Sequence, residues 1–168
     1  MSRLTLFSLL ALAACGQHKP KPTGDGGTAT GMTLRATNLS HNHLPTCDDP
    51  NCGNGADPPL GGDHCPVWLN CGVFDTAQPK CNWIHNLEHG QVVMVYNCSG
   101  CDALVQSLED YQAMYSDSVV TPDPDLPNKV AVMVWGFGWM GDGFDQAAFD
   151  EVVTHKEEES PEHIPCTP

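Results

Sequence analysis

Within this 168-residue chain, Trp83-Ile84-His85-Asn86-Leu87-Glu88-His89-Gly90 combines residue types and spacing that can do chemistry. His85 and His89 are four apart, and positions i and i+4 share one face of a helix. Glu88, three after His85, borders that face, and Gly90 supplies a natural left-handed helix end. Two imidazoles so placed can reach one ion. A third, His64, follows the Gly61-Gly62-Asp63 turn, a usual place for a ligand outside the helix. Three neutral imidazoles suit Zn²⁺ or a Cu ion, so His64, His85 and His89 form the expected metal set. Glu88 stands behind them to orient a ligand or act on a bound water. Bonds of about 2 Å to a shared ion require the rings to converge within roughly 4–5 Å. Without a metal, the same rings would hydrogen-bond the irregular loops and fix them in place.

His85-Asn86-Leu87-Glu88-His89 also fits the His-x-x-Glu-His pattern of inverted zinc proteases. Those enzymes need a third carboxylate ligand on a long helix, whereas Gly90 ends this one at once. Proteolysis is therefore a minor alternative. A second constellation, Cys98-Ser99-Gly100-Cys101, follows an apolar run and opens a helix. It reads either as a thiol–disulfide redox site, its first thiol acidified by the helix N-terminus, or as a structural disulfide. A thioredoxin-type fold would need another strand and helix before Pro122, and the residues between Cys101 and Pro122 leave no room for them. Met94 offers a soft thioether for Cu(I), but a methionine inside a Val-rich strand belongs to the core. His41-Asn42-His43 reads as polar surface able to add ligands at the mouth of the front half. Asp48-Asp49 and Asp123-Pro124-Asp125 lack the loop spacing of Ca²⁺ sites. No nucleophile–base pair or phosphate loop is evident, so a binding role is favoured over catalysis.

These residues need elements to hold them. Residues 33–82 are rich in Pro, Gly, Asn, Asp and Cys and show little periodicity. They read as an irregular, disulfide-braced half with extended pieces near Leu34-Arg35-Ala36 and Gly72-Val73-Phe74. A short helical turn carries the histidines. Residues 91–96 read as a buried strand, being almost continuously apolar. Residues 102–115 form a helix with Leu104, Leu108, Tyr111 and Met114 on one stripe. Short strands are expected at 118–121 and 130–136, a turn region at 138–143, and a second helix at 144–155. The sum is an α+β fold: a small mixed sheet with two helices behind an irregular N-terminal half.

The N-terminus reads as an address. Arg3 precedes a short apolar run, Leu4 to Leu12, which is too short to span a bilayer and suits a signal peptide. Leu12-Ala13-Ala14-Cys15 looks like a lipobox, so residues 1–14 would be removed and Cys15 would carry lipid. Several acyl chains on one residue anchor stably, at about 0.8 kcal/mol per buried CH₂. Residues 15–32 form a Gly-, Pro- and Thr-rich tether, leaving residues 33–168 as one globular domain. The expected location is the cell envelope, at the outer membrane or the periplasmic face, and the expected partner is the membrane through the lipid on Cys15. The formal charge of −14 argues against nucleic acid and anionic surfaces. The chain has nine cysteines. Setting Cys15 aside leaves an even number, which in an oxidising compartment read as disulfides. Their pairing is open, although Cys166 would staple the C-terminal tail.

Ile84-His85-Asn86-Leu87-Glu88-His89-Gly90-Gln91-Val92-Val93 resembles the core motif of the domain of unknown function 3105 family, a His-x-Leu-Glu-His-Gly followed by a strand. The resemblance extends over about Asp57 to His155. Pro58, Pro59, Gly62 and His64 match an upstream Pro-Pro-Thr-Ser-Gly-Pro-His segment, while Leu60, Gly61 and Asp63 depart from it. Gly72-Val73-Phe74, Tyr96, Leu126-Pro127 and the run to Trp135-Gly136 also fit. The resemblance implies a fold and a motif, and no established activity. Three function classes follow from the residues: a metal-binding module, a thiol redox protein using Cys98 and Cys101, and a disulfide-stabilised interaction domain without catalysis.

Overall fold

The computed structural model describes residues 29–166. The signal segment, Cys15 and most of the tether lie outside the described residues. Six strands make one mixed sheet in the order β1-β6-β5-β3-β4-β2. The edge strand β2 (Gly72–Val73) leads into α1 (Lys80–Glu88), which leads to β3 (Val92–Tyr96) in the middle of the sheet. From β3 the chain passes through α2 (Asp102–Met114) to β4 (Ser118–Pro122). β2, β3 and β4 run parallel, so both connections are helical crossovers. β5 (Val130–Val134) then pairs antiparallel with β3. It turns back through Trp135-Gly136 into β6 (Phe137–Gly141), whose far side takes β1 (Gly31–Arg35), again antiparallel. α3 (Gln146–Thr154) and the single turn α4 (Lys156–Glu159) end the chain's regular structure.

Alternation along the central strands separates two cores. Val93, Val95, Val119, Ala131 and Met133 face Trp83, Ile84 and Leu87 of α1. Val92, Met94, Val120, Val130 and Val132 face Leu108 and Tyr111 of α2 and Phe149 and Val152 of α3. The histidine helix therefore has one side of the sheet to itself, together with the irregular front half.

Three expectations are corrected. The region read as a turn at 138–143 is mostly β6. Its glycines weaken any strand signal, yet pairing with β5 on one side and β1 on the other holds it extended, so tertiary context overrides propensity. The short helical turn is a nine-residue helix buried along its length except at Lys80, so the layer that carries the motif is more than a loop. β1 begins at Gly31, inside the stretch read as tether.

All eight cysteines outside the address are paired, as Cys47–Cys65, Cys52–Cys81, Cys71–Cys166 and Cys98–Cys101. The first two pin the front loops to one another and to the start of α1. The third closes a separation of 95 residues and ties the C-terminal tail down.

Candidate metal centre

A helix buried on all sides cannot leave its polar side chains unpaired, and those of α1 organise the site. Asn82 Nδ2 donates to the Val67 carbonyl at 2.9 Å, and Asn86 Nδ2 donates to that of Leu69 at 2.8 Å. Asn86 Oδ1 accepts from the Leu69 amide at 3.0 Å. These bonds hold residues 65–69 against the helix. At its C-terminus Gly90, at φ +81°, makes the left-handed cap. Its amide bonds Leu87 O at 3.1 Å and the Gln91 amide bonds Asn86 O at 3.0 Å, the paired bonds of a Schellman motif. The tail then crosses this end. Ser160 Oγ donates to Leu87 O, and the amides of Glu162 and Ile164 donate to the carbonyls of Glu88 and His89.

His64 reaches α1 from the front loops. Gly62, at φ +120°, lies so close to the Gly53 backbone that a Cβ there would sit 2.3 Å from the Gly53 carbonyl carbon. Only glycine lets the turn fold under that segment and aim His64 inward. On the other side residues 42–44 pair with His64: its amide donates to Asn42 O at 3.0 Å and its carbonyl accepts from Leu44 N at 2.7 Å. Asp63 fastens the same segment through Asn42. Hydrogen bonds from Ser40 and Asn42 hold its carboxyl below the usual range. The pairing brings His43 alongside His64, their ring centroids 5.1 Å apart.

The result is a ring of imidazoles around one carboxylate. Glu88 Oε2 lies 2.9 Å from His64 Nε2, 3.8 Å from His85 Nε2 and 4.0 Å from His43 Nε2. His41 Nδ1 approaches the other oxygen, Oε1, at 3.2 Å. Ligand atoms of His43, His64, His85 and Glu88 all lie within 4.8 Å of one another. Tetrahedral Zn²⁺ places neighbouring donors about 3.4 Å apart, so a modest contraction would close the group on an ion. His64 is fully buried and Glu88 4% exposed, whereas His43 is 52% exposed and opens the cluster to solvent.

The ring tautomers follow from the backbone. His64 Nδ1 faces Gly62 O at 2.8 Å and His85 Nδ1 faces Cys65 O at 2.9 Å. Carbonyl oxygens only accept, so both Nδ1 atoms carry hydrogen. In neutral rings the Nε2 atoms then present lone pairs to Glu88, which as a carboxylate also only accepts. Burial pushes His85 down to about 4, and the neighbouring histidines add to that, so its ring is neutral at pH 7. Acceptors aimed at one another at these distances are reconciled by a shared proton or by a metal ion between them. Buried His and Glu side chains of this kind can hold a metal ion.

Sequence reasoning named His64, His85, His89 and Glu88. The structure sets His64 beside His85, with centroids 4.7 Å apart, and His85 beside His89 at 4.4 Å. His89 Nε2, however, faces Glu162 Oε2 at 3.5 Å, and His89 groups with Glu88 and Glu162 rather than with His43 and His64. Glu88, expected behind the imidazoles, points its carboxylate among their nitrogens. His43 joins the cluster from the polar stretch read as surface able to add ligands at the mouth of the front half. Met94 lies on the far face of the sheet, in the core under α2 and α3. Trp68, 46% exposed, sets its ring edge against His85 and His89, while Trp139 is buried in β6.

Cys98 and Cys101 form a disulfide in the half-exposed turn between β3 and α2. Cys101 is the residue that caps α2, so Cys98 precedes the helix instead of sitting at its N-terminus. The dipole that would acidify an attacking thiol thus favours the second cysteine. A cleft of about 620 Å³ lies elsewhere, where Cys71 and Cys166 meet Gln112 and Asp117.

An α+β domain whose sheet carries a buried histidine–glutamate cluster on one face is the class these features define. The chain belongs to the family described as Protein of unknown function (DUF3105), whose model matches residues 47–168. The matched stretch includes His64, His85, Glu88, His89 and all four disulfides, and it begins after His43. No curated protein and no solved structure matches the chain.

Proposed function

We propose that this protein is an envelope metal-binding module that takes one Zn²⁺ or Cu ion through His43, His64 and His85, with Glu88 as the anionic ligand. One observation carries the reading: His64 and His85 each spend Nδ1–H on a backbone carbonyl and turn Nε2 toward the same Glu88 oxygen. Metal-bound histidines are held in the same way, their other nitrogen donating to a carbonyl or carboxylate. The donor set of imidazoles and one carboxylate suits Zn²⁺ or Cu²⁺. Export and a lipid anchor on Cys15 complete the proposal. They rest on the apolar run and lipobox-like residues at the N-terminus and on the disulfide-rich composition.

A proton between His64 and Glu88 would give a buried ion pair instead, and the role would then be structural. Metal analysis of the purified protein separates the two. Bound Zn²⁺ or Cu, at least one equivalent of which is lost in His64→Ala and in His85→Ala, supports binding. A metal-free protein that takes up no ion on dialysis against Zn²⁺ or Cu²⁺ refutes it.

A further inference from the structure

His89 has no function in the cluster just described, yet it caps the same helix and is 3% exposed. Its Nδ1 is buried with no hydrogen-bond partner, and its Nε2 faces Glu162. A native protein rarely leaves such an atom orphaned, and a missing ion or water is a common reason. The ligand atoms of Glu88, His89 and Glu162 lie within 4.8 Å of one another. A small cavity of about 100 Å³ is bounded in part by His89, Gly90, His163 and Ile164.

Glu88 belongs to both groups. A carboxylate has two oxygens, and shared carboxylates hold ion pairs about 3.5–4 Å apart in two-metal sites. We propose that His89 and Glu162 form a second divalent-cation position, with Glu88 bridging it to the three-histidine site. This rests on the reading of that first site. Each position has its own ligands: His43, His64 and His85 for the inner ion, His89 and Glu162 for the outer one. The outer ligand Glu162 stands on the tail segment that the Cys71–Cys166 disulfide ties down, so the tail completes this position and the fold core completes the other. With two carboxylates and one imidazole, the outer position suits a borderline or hard divalent ion.

The test is Zn²⁺ binding to the full chain by equilibrium dialysis at pH 7, starting from chelator-treated protein. Wild type should bind two equivalents. Glu162→Gln and His89→Gln should each bind one, and Co²⁺ substitution should show the corresponding loss of one set of visible absorption bands. Glu162 is about half exposed, so its variant folds and keeps the comparison valid. Glu151→Gln, which removes a surface carboxylate beside His155, should still bind two. One equivalent in wild type, unchanged by Glu162→Gln, overturns the second position and leaves the first intact. A second equivalent lost in Glu151→Gln overturns it as adventitious surface binding. Zero equivalents in wild type removes the three-histidine site as well.

Discussion

Glu88→Gln separates the metal reading from the ion-pair reading in one substitution. The two side chains have the same shape, and Glu88 is almost wholly buried, so the change is electrostatic. If His64 is neutral, its Nε2 lone pair lies 2.9 Å from position 88, and a glutamine amide can donate to it. Metal-free stability should then change by no more than about 1 kcal/mol, the net worth of a neutral hydrogen bond. Zn²⁺ affinity should fall about 100-fold or more, since the cluster loses its anionic ligand; that is roughly 2.7 kcal/mol. Ion at 100 times the wild-type dissociation constant stabilises wild type by about 2.7 kcal/mol, and the same concentration stabilises the variant by only about 0.4 kcal/mol. Urea unfolding with and without Zn²⁺, beside a chelator competition, reads all of these. The reasoning is refuted if wild type shows no Zn²⁺ dependence and the variant loses about 3–5 kcal/mol without metal, because that is the cost of orphaning one member of a buried ion pair.

Gly62→Ala should cost about 2–4 kcal/mol and abolish metal uptake, since the methyl group would collide with the Gly53 backbone at a positive φ; wild-type-like urea midpoint and zinc content would contradict this. The disulfides should rank by loop length: Cys166→Ser with Cys71→Ser loses roughly 4–5 kcal/mol, and Cys98→Ser with Cys101→Ser about 2 kcal/mol. The second pair of changes should leave metal binding intact, and a loss of zinc there would tie the Cys98 turn to the site. Tyr111 is fully buried with its hydroxyl donating to Asp150 at 2.9 Å, and burial and that carboxylate raise it far above the ordinary value. The neutral phenol is thus favoured in the folded state, so its contribution is complete below about pH 10 and is lost as the pH climbs beyond it. Ultraviolet titration should show Tyr111 ionising only as the protein unfolds; a phenol at position 111 that titrates near pH 10 in folded protein, detected by comparison with Tyr111→Phe, would be inconsistent with this packing.

The sequence made α1 and its chemistry legible because helical spacing needs only local information. His85, Glu88 and His89 sit where an i, i+3, i+4 pattern puts them, and Gly90 ends the helix as its type suggests. The strands at residues 92–96 and 130–134 were legible from their continuous apolar runs, as buried central strands are. β6 was not, because Phe137-Gly138-Trp139-Met140-Gly141 owes its conformation to two neighbours distant in sequence. His43 was legible only as a surface residue able to add a ligand, for a related reason. Its place depends on a bridge to His64 and on the Cys47–Cys65 link, both long-range. The division of labour between Glu88 and His89 was equally invisible. Adjacent residues on a helix point about 100° apart, and which one meets His64 and which meets Glu162 depends on where two separate loops arrive.

The sheet also acts as a partition between two workshops. Even-numbered residues of β3 serve the α2–α3 side and odd-numbered ones serve the histidine side, so repacking around Met94 can retune rigidity without touching the histidine cluster. Val93 and Val95, by contrast, form the floor on which the helix of the motif rests. An engineer reshaping the histidine cluster would redesign the front loops and that floor together and keep the rear wall as it stands.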